Sequence, residues 1–213
     1  MIFNSRFRYF TIALIKRSVV LLAALLLSAC ITITQPPVPI EDAQQEWVAR
    51  TDYLYQQQDW TAHIALLGNS HQQKFKVRVV WKQQAENYQI KLRDFIGRTI
   101  AIIDGTPAGV VAKTSKGERY QGDDAEALIK QLFDINIPVT GMRYWLQGVP
   151  MENESIDQLV LDDHGLAKTL SQQGWAMSYP HYMENQPYKM PSQVILEFEN
   201  IKLTAKISQW TSQ

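Results

Sequence analysis

Short segments in which apolar and polar residues alternate recur along this chain, and they constrain its fold more than any other feature. In the clearest of them, Phe75, Val77, Val79 and Trp81 alternate with Lys74, Lys76, Arg78 and Val80. Successive side chains of a β-strand point to opposite faces, so this period predicts strands with one buried face. Similar segments lie at residues 60–66, 88–93, 99–104, 108–114 and 117–121. The short turns between them predict an antiparallel meander.

A second group of alternating segments follows at residues 158–161, 166–171, 175–180, 192–198 and 201–210. Helical patterns occupy residues 41–58, capped by Asp42, a segment capped by Asp123 with Glu126 three residues later, and residues 139–147. The count is about ten or eleven strands with two or three helices. An antiparallel sheet this wide must curl and enclose a space. We therefore predict a mainly β fold with a few helices (α+β): an unclosed antiparallel β-barrel whose helices plug or cover it.

The chain has one cysteine, Cys30, and it ends the pattern Leu27-Ser28-Ala29-Cys30. A branched apolar residue and two small residues before a cysteine are typical of a lipobox, in which the thiol takes a diacylglyceryl group. Four basic residues and an apolar run precede it, as in a secretory signal. The alternative is a buried cysteine at the end of a membrane helix, but the 11 residues from Val19 to Ala29 fall short of the roughly 20 that span a bilayer.

These features divide the chain into a cleaved signal at 1–29, a lipidated cysteine with a proline-rich tether at 30–40, and a single domain at 41–213. Without the signal, 17 basic residues face 21 acidic ones, a net charge of −4. A weakly acidic domain without a basic run argues against nucleic-acid binding and against attachment to membranes by a polybasic patch. With Cys30 acylated, no thiol remains for a disulfide, so packing alone must hold the fold together.

Residues that could carry catalysis are sparse, and we expect no enzyme and no cofactor. The four histidines, His63, His71, His164 and His181, show no metal-ligand spacing. The chain has no G-x-S-x-G motif and no phosphate-binding glycine loop. The acidic pairs Asp123-Asp124 and Asp162-Asp163 are better explained by capping and turn formation.

The stretch Asp94-Phe95-Ile96-Gly97 lies where a polar hairpin turn is expected, yet it carries two large apolar side chains. One interpretation is that Phe95 and Ile96 fold back onto the core. The other is that they form an apolar tip that enters a bilayer or a partner.

Several segments in order resemble the LolB family of outer-membrane lipoprotein receptors and insertases of Gram-negative bacteria. They are Tyr120-x-x-Asp123-Asp124-Ala125-Glu126, Trp145-Leu146-x-Gly148-x-Pro150, Gly174-Trp175, Met190-Pro191, and Ile201-Lys202-Leu203 with Trp210 near the end. The resemblance implies an unclosed barrel with an apolar interior that takes acylated lipoproteins from a LolA-like periplasmic carrier. It also implies delivery to the inner leaflet of the outer membrane by a protruding loop with an apolar residue before Gly. Here that residue is Ile96, with Phe95 as a helper where the family usually has Pro.

The resemblance further implies a lipid-anchored protein, expected to be a monomer, on the periplasmic face of the outer membrane. Ile31 after the cysteine carries no inner-membrane retention mark of the Asp type. Candidate cavity-lining residues are Phe75, Val77, Val79, Trp81, Tyr88, Ile90, Leu92, Leu128, Leu132, Trp145, Leu146, Val194, Leu196 and Phe198. Each of these could equally be ordinary core. The alternative functions are a lipid-binding or scaffold lipoprotein of the envelope without transfer activity and, less favoured, an esterase-type enzyme.

Overall fold

Eleven strands form one antiparallel sheet in the computed structural model, which describes residues 40–69, 74–184 and 188–212. Cys30, the signal, most of the proposed tether, Ser70 and His71 lie outside the described residues. The strands are β1 (Asp59–Asn69), β2 (Lys74–Gln84), β3 (Asn87–Arg93), β4 (Thr99–Thr106), β5 (Gly109–Thr114), β6 (Arg119–Gly122), β7 (Gln158–Leu161), β8 (Ala167–Gln172), β9 (Trp175–Tyr182), β10 (Pro191–Phe198) and β11 (Ile201–Ser212). The helices are α1 (Ile40–Gln56), α2 (Ala125–Phe133) and α3 (Val139–Trp145).

The order of the strands makes the sheet open and places two helices across it. The order is β6-β5-β4-β3-β2-β1-β11-β10-β9-β8-β7, so β6 and β7 are the two edges and β1 pairs with β11 at the centre. Within the described residues β6 and β7 do not pair with each other, and the predicted unclosed, mainly β fold is confirmed. The chain between β6 and β7 must run from one edge to the other, and α2 and α3 lie in that connection.

One hydrophobic core fills the inner face of the sheet. It draws on every second residue of the central strands, as in Ala62, Ile64 and Leu66 of β1 and Leu203, Ala205 and Ile207 of β11. Trp47 and Leu54 of α1 and Leu128 and Trp145 of the connection join the same cluster. Val38–Gln213 thus forms a compact unit with a core of its own, here called the body.

Two predicted helix caps are wrong. Asp124, not Asp123, caps α2: its backbone is extended at φ −136° and its Oδ1 accepts from the Ala127 N–H at 2.6 Å. Glu126 does not close a capping box but accepts from the Thr140 N–H at 2.7 Å, which ties α2 to the start of α3. Asp42 lies inside α1, since that helix already includes Ile40.

The turn predicted at residues 68–70 is wrong at Gly68 and Asn69, because β1 continues through both residues; Ser70 lies outside the described residues. Gly68 pairs with Phe75 on one side and Leu203 on the other. The Phe75 ring lies across Gly68, where a Cβ would stand 2.0 Å from a ring carbon. Glycine here makes room for a flat aromatic ring rather than for a reversal of the chain.

In the described part of the chain no helix is both long and apolar enough to cross a membrane.

Candidate functional site

An apolar cavity of about 210 Å³ lies between the inner face of β1–β4 and the α2–α3 connection. Every side chain that lines it is aliphatic, aromatic or thioether. The lining residues are Ile64, Leu66, Phe75, Val77, Val79, Trp81, Ile90, Leu92, Ile100, Ile103, Ile129, Phe133, Ile135, Ile137, Val139 and Met142. Such a site offers no polar group to orient a ligand, so it suits a flexible hydrocarbon rather than a polar small molecule.

The wall opposite the sheet is built by α2, α3 and the loop between them, here called the lid (residues 125–145). Asp134 ends α2 in the left-handed conformation at φ 54°, and its N–H bonds to the Lys130 carbonyl. The chain then turns, so that Ile135 and Ile137 face the cavity before Pro138 starts α3. The lid therefore closes the cavity with apolar side chains on a short loop rather than with a rigid strand.

The floor of the cavity includes a register irregularity at the end of β3. Leu92 pairs with Ala101, but Arg93 pairs with Thr99, so Ile100 is the extra residue. Ile100 and Ile103 both line the cavity, although their spacing of three does not fit a regular strand. This bulge adds an apolar side chain to the wall at the end of the strands where the 94–98 loop begins.

Six of the fourteen candidate lining residues lie at this cavity: Phe75, Val77, Val79, Trp81, Ile90 and Leu92. The other eight do not line it. Leu128, Trp145, Leu146, Val194 and Leu196 are fully or almost fully buried in the core, Leu132 packs against it partly buried, and Phe198 stacks on Trp175 with ring centroids 5.2 Å apart. Around β8–β10 such side chains fill the space on the inner face of the sheet, so the inward residues there belong to the hydrophobic core.

Tyr88, the remaining candidate, covers the backbone beside the cavity. Its ring lies across Gly105, and a Cβ there would stand 2.0 Å from a ring carbon. Burial, and secondarily the nearby carboxylates Glu126 and Asp124, raises the pKa of Tyr88 to about 12. The neutral phenol therefore packs where the start of α2 meets the sheet.

The fourteen candidates include none of the lid residues at the cavity, which are Ile129, Phe133, Ile135, Ile137, Val139 and Met142. Ile135 and Ile137 lie in a proline-containing loop, where neither a helical nor an alternating period marks a buried face. The signal that could have revealed them is their composition, since isoleucines in a loop are unusual unless the loop is covered or covers something.

Gln172 of β8 holds Trp145 and the chain after it in place through a buried polar network. Its Oε1 accepts from Trp145 Nε1 at 2.9 Å and from the Met151 N–H at 2.8 Å, and its Nε2 donates to the Met151 and Glu154 carbonyls at 3.2 Å. Gln172 has no solvent exposure. The network holds the end of the lid at Trp145 against β8.

Arg50 of α1 makes a second tie, to the chain that directly follows the lid. It is 3% exposed and donates to the carbonyls of Gln147 at 2.6 Å, Gly148 at 3.3 Å and Lys189 at 3.1 Å. Its guanidinium also lies over the Tyr182 ring, 5.9 Å from the centroid. Desolvation by burial lowers the pKa of Arg50 from its ordinary value, and the nearby Tyr182, Tyr179 and Asp162 oppose this shift without cancelling it.

The loop at residues 94–98 carries two exposed apolar side chains at its tip. Phe95 is 70% exposed and Ile96 is 61% exposed, so they do not fold back onto the core. Asp94 shapes the loop: its Oδ1 accepts from the N–H groups of Ile96 at 3.1 Å and Arg98 at 2.9 Å, and its Oδ2 accepts from Arg98 Nε at 2.7 Å. Desolvation opposes the charge of Asp94, but the hydrogen bonds from Arg98 and Ile96 outweigh it and lower the pKa of Asp94.

The backbone of the loop agrees with this arrangement. Gly97 has φ +93°, which L residues rarely adopt, and its N–H bonds to the Asp94 carbonyl at 3.1 Å. Asp94 and Arg98 thus form a polar base, and Phe95 and Ile96 project outward from it. Exposure of this apolar surface to water is unfavourable unless something apolar covers it.

Within the described ranges, no group of three or more His, Cys, Asp or Glu side chains is placed to hold a metal ion.

Residues 40–210 match the family described as Outer membrane lipoprotein LolB. Among curated relatives, the Outer-membrane lipoprotein LolB of Alkalilimnicola ehrlichii is 30% identical over 89% of this chain and 94% of its own length. The proteins of the same name from Nitrosococcus oceani and Aeromonas hydrophila are 28% and 31% identical, over 92% and 88% of this chain and 96% and 92% of their own lengths. A crystal structure of a DUF1329 family protein from Desulfovibrio piger shares the fold, with a TM-score of 0.51, 9% identity, and coverage of 82% of this chain and 93% of that one.

Proposed function

This chain belongs to the LolB family of outer-membrane lipoproteins, and we propose that it accepts acylated lipoproteins from a LolA-type periplasmic carrier and inserts them into the outer membrane. The observation that carries the proposal is the cavity lined only by apolar side chains under a lid of loop and short helices. The acyl chains of a lipoprotein are its ligand in this account.

Transfer between proteins needs apolar cover for the acyl chains, because each methylene that enters water costs about 0.8 kcal/mol. The cavity supplies that cover, but its volume of about 210 Å³ is below the roughly 300–1,000 Å³ of common ligand sites. Entry of acyl chains must therefore displace lid side chains such as Ile135 and Ile137. A lid whose side chains can be displaced also lets the bound acyl chains leave again, and transfer requires that they leave.

The anchor in this account holds the protein at its membrane but takes no part in the transfer itself. Acylation of Cys30 would fix the chain to the periplasmic face of the outer membrane, and the prolines of residues 31–40 would hold the body away from the bilayer. The cavity and the loop both lie in the body, so the body without the anchor should still accept cargo.

Release uses the 94–98 loop, whose tip residues Ile96 and Phe95 enter the bilayer. Burial of a large apolar side chain gains about 1.5–3 kcal/mol, so two of them suit a reversible contact rather than an anchor. The high exposure of both residues supports this role over a role in the core.

The substitution Ile96→Glu tests the release step. The body should remain folded and accept cargo from the loaded carrier, because Ile96 is exposed and lies outside the cavity lining. Delivery to vesicles should fail, because the glutamate must be desolvated to follow the tip into the bilayer. The measurement is the fraction of lipoprotein that moves from the body to sedimented vesicles.

Ile156→Glu is the matched control, since Ile156 is another exposed isoleucine, at 43%, outside the loop. It should deliver cargo at the wild-type level. Normal delivery by Ile96→Glu, or equal loss in both variants, would count against the proposed role of the tip.

A further inference from the structure

The outer face of the sheet carries a row of cations beside the 94–98 loop. Arg78 of β2 and Arg93 of β3 are direct cross-strand partners. Lys206 of β11 lies in the same row, separated from Arg78 only by Ala65 of β1. Their chain neighbours Val79 and Ala205 are buried, so these three side chains, here called the basic row, lie on the solvent side.

The basic row is not neutralised by the protein. Like charges directly opposite each other on antiparallel strands are unfavourable. In the described part of the chain none of the three forms an ion pair with a carboxylate, and Arg93 Nε is buried without a hydrogen-bond partner. The nearest acid along the chain, Asp94, is engaged by Arg98. An anion from outside the chain would relieve this repulsion.

The basic row and the apolar tip belong to one continuous surface. Arg78, Arg93 and His63 line a groove on the outer face, and Gly97 of the loop lines it too. Phe95 follows Arg93 by two residues, which is at most about 7 Å of extended chain. The surface therefore places cations just behind two exposed apolar side chains, the order in which a bilayer presents its phosphates and its acyl chains.

We propose that the basic row binds the phosphate groups of anionic phospholipids while Phe95 and Ile96 enter the acyl region. The proposal rests on the membrane-contact role of the loop and adds a headgroup site to it. It orients the body on the bilayer, with the end of β2–β3 that carries the cavity bulge toward the lipid.

The proposed site differs from the expectation that the domain lacks a polybasic membrane contact. Linear inspection finds no basic run, because the cations alternate with inward apolar residues along each strand, as in Lys76-Val77-Arg78. The period of two gathers them on one face. The net charge of −4 after Cys30 gives the whole body no attraction to an anionic surface, so any attraction must come from such a local row.

The test is sedimentation of the body with vesicles of phosphatidylcholine, with or without phosphatidylglycerol. Phosphatidylglycerol should tighten binding of the wild-type body. The double variant Arg78→Gln/Arg93→Gln should weaken binding to the anionic vesicles by about fivefold for each cation removed. The control Lys82→Gln/Lys168→Gln removes the same charge from exposed positions away from the loop and should bind as the wild type does.

Three results would overturn the headgroup site. They are no preference of the wild-type body for anionic vesicles, an equal loss in the control, and a loss of cargo acceptance from the carrier with unchanged vesicle binding. The last would make the row a protein-docking face. A body that delivers cargo without any lipid preference would refute the site alone, whereas a body that accepts no cargo would refute the proposed transfer function.

Discussion

Gln172 shows how one residue ties the lid to the sheet. A fully buried amide is unfavourable unless its donors and acceptors are paired, and here both ends are used. The partners come from the end of α3 and the loop that follows it. Its role is therefore to fix the position of Trp145, and with it the far end of the lid.

We expect Gln172→Met to lower the free energy of unfolding of the body by about 2–4 kcal/mol, because Trp145 Nε1 and the Met151 N–H would lose their buried acceptor. Urea unfolding followed by tryptophan fluorescence measures this change. Gln158→Met, at an exposed position of β7, is the control and should stay within about 0.5 kcal/mol. A similarly small change for Gln172→Met would mean that the network does not stabilise the fold.

In the hairpin of β3 and β4, the residue that sets the conformation of the loop differs from the residues that would contact the membrane. Asp94 holds the loop in shape, whereas Phe95 and Ile96 provide the exposed apolar surface. A loop that loses its shape would keep the apolar residues but no longer present them together.

The substitution Asp94→Ala should therefore slow cargo delivery to vesicles while changing the free energy of unfolding by less than about 1 kcal/mol, as expected for an exposed loop. Asp94→Asn keeps an oxygen acceptor for the two backbone N–H groups and loses only an exposed ion pair, worth about 0–1 kcal/mol. It should deliver nearly as the wild type does. Delivery rates from body to vesicles distinguish the two variants, and wild-type delivery by Asp94→Ala would contradict the role of the loop shape.

The elements themselves were largely predictable. Alternation along β2 and β3 reflects burial of one face directly, and the predicted segments match the observed strands to within a few residues at most ends. Helix caps and turns were less predictable from the sequence. Asp123 and Asp124 are equally good caps by residue type, and Gly68 looks like a turn residue until its partner Phe75 is known. Such choices depend on contacts between segments distant in sequence.

In the molecule as a whole, the two halves of the sheet differ in how their inner faces are filled. The strands around β8–β10 and the buried network of Gln172 make a solid core, whereas β1–β4 and the lid enclose the cavity. Sequence alone could not make this distinction, since Val79 and Val194 are both inward residues of alternating strands. Only the path of the lid decides which of them faces an empty volume.

If this cavity holds the acyl chains, a side chain that fills it should block their uptake. Val77→Trp places a large ring among the lining residues, whereas Val160→Trp places the same ring at a position of β7 that is 41% exposed. The measurement is the amount of acylated lipoprotein that moves from a loaded LolA-type carrier to the body in the absence of membranes. The wild-type body and Val160→Trp should take up the cargo, and folded Val77→Trp should not. Cargo that stays on the carrier with the wild-type body, or moves equally to Val77→Trp, would show that the acyl chains do not bind in this cavity.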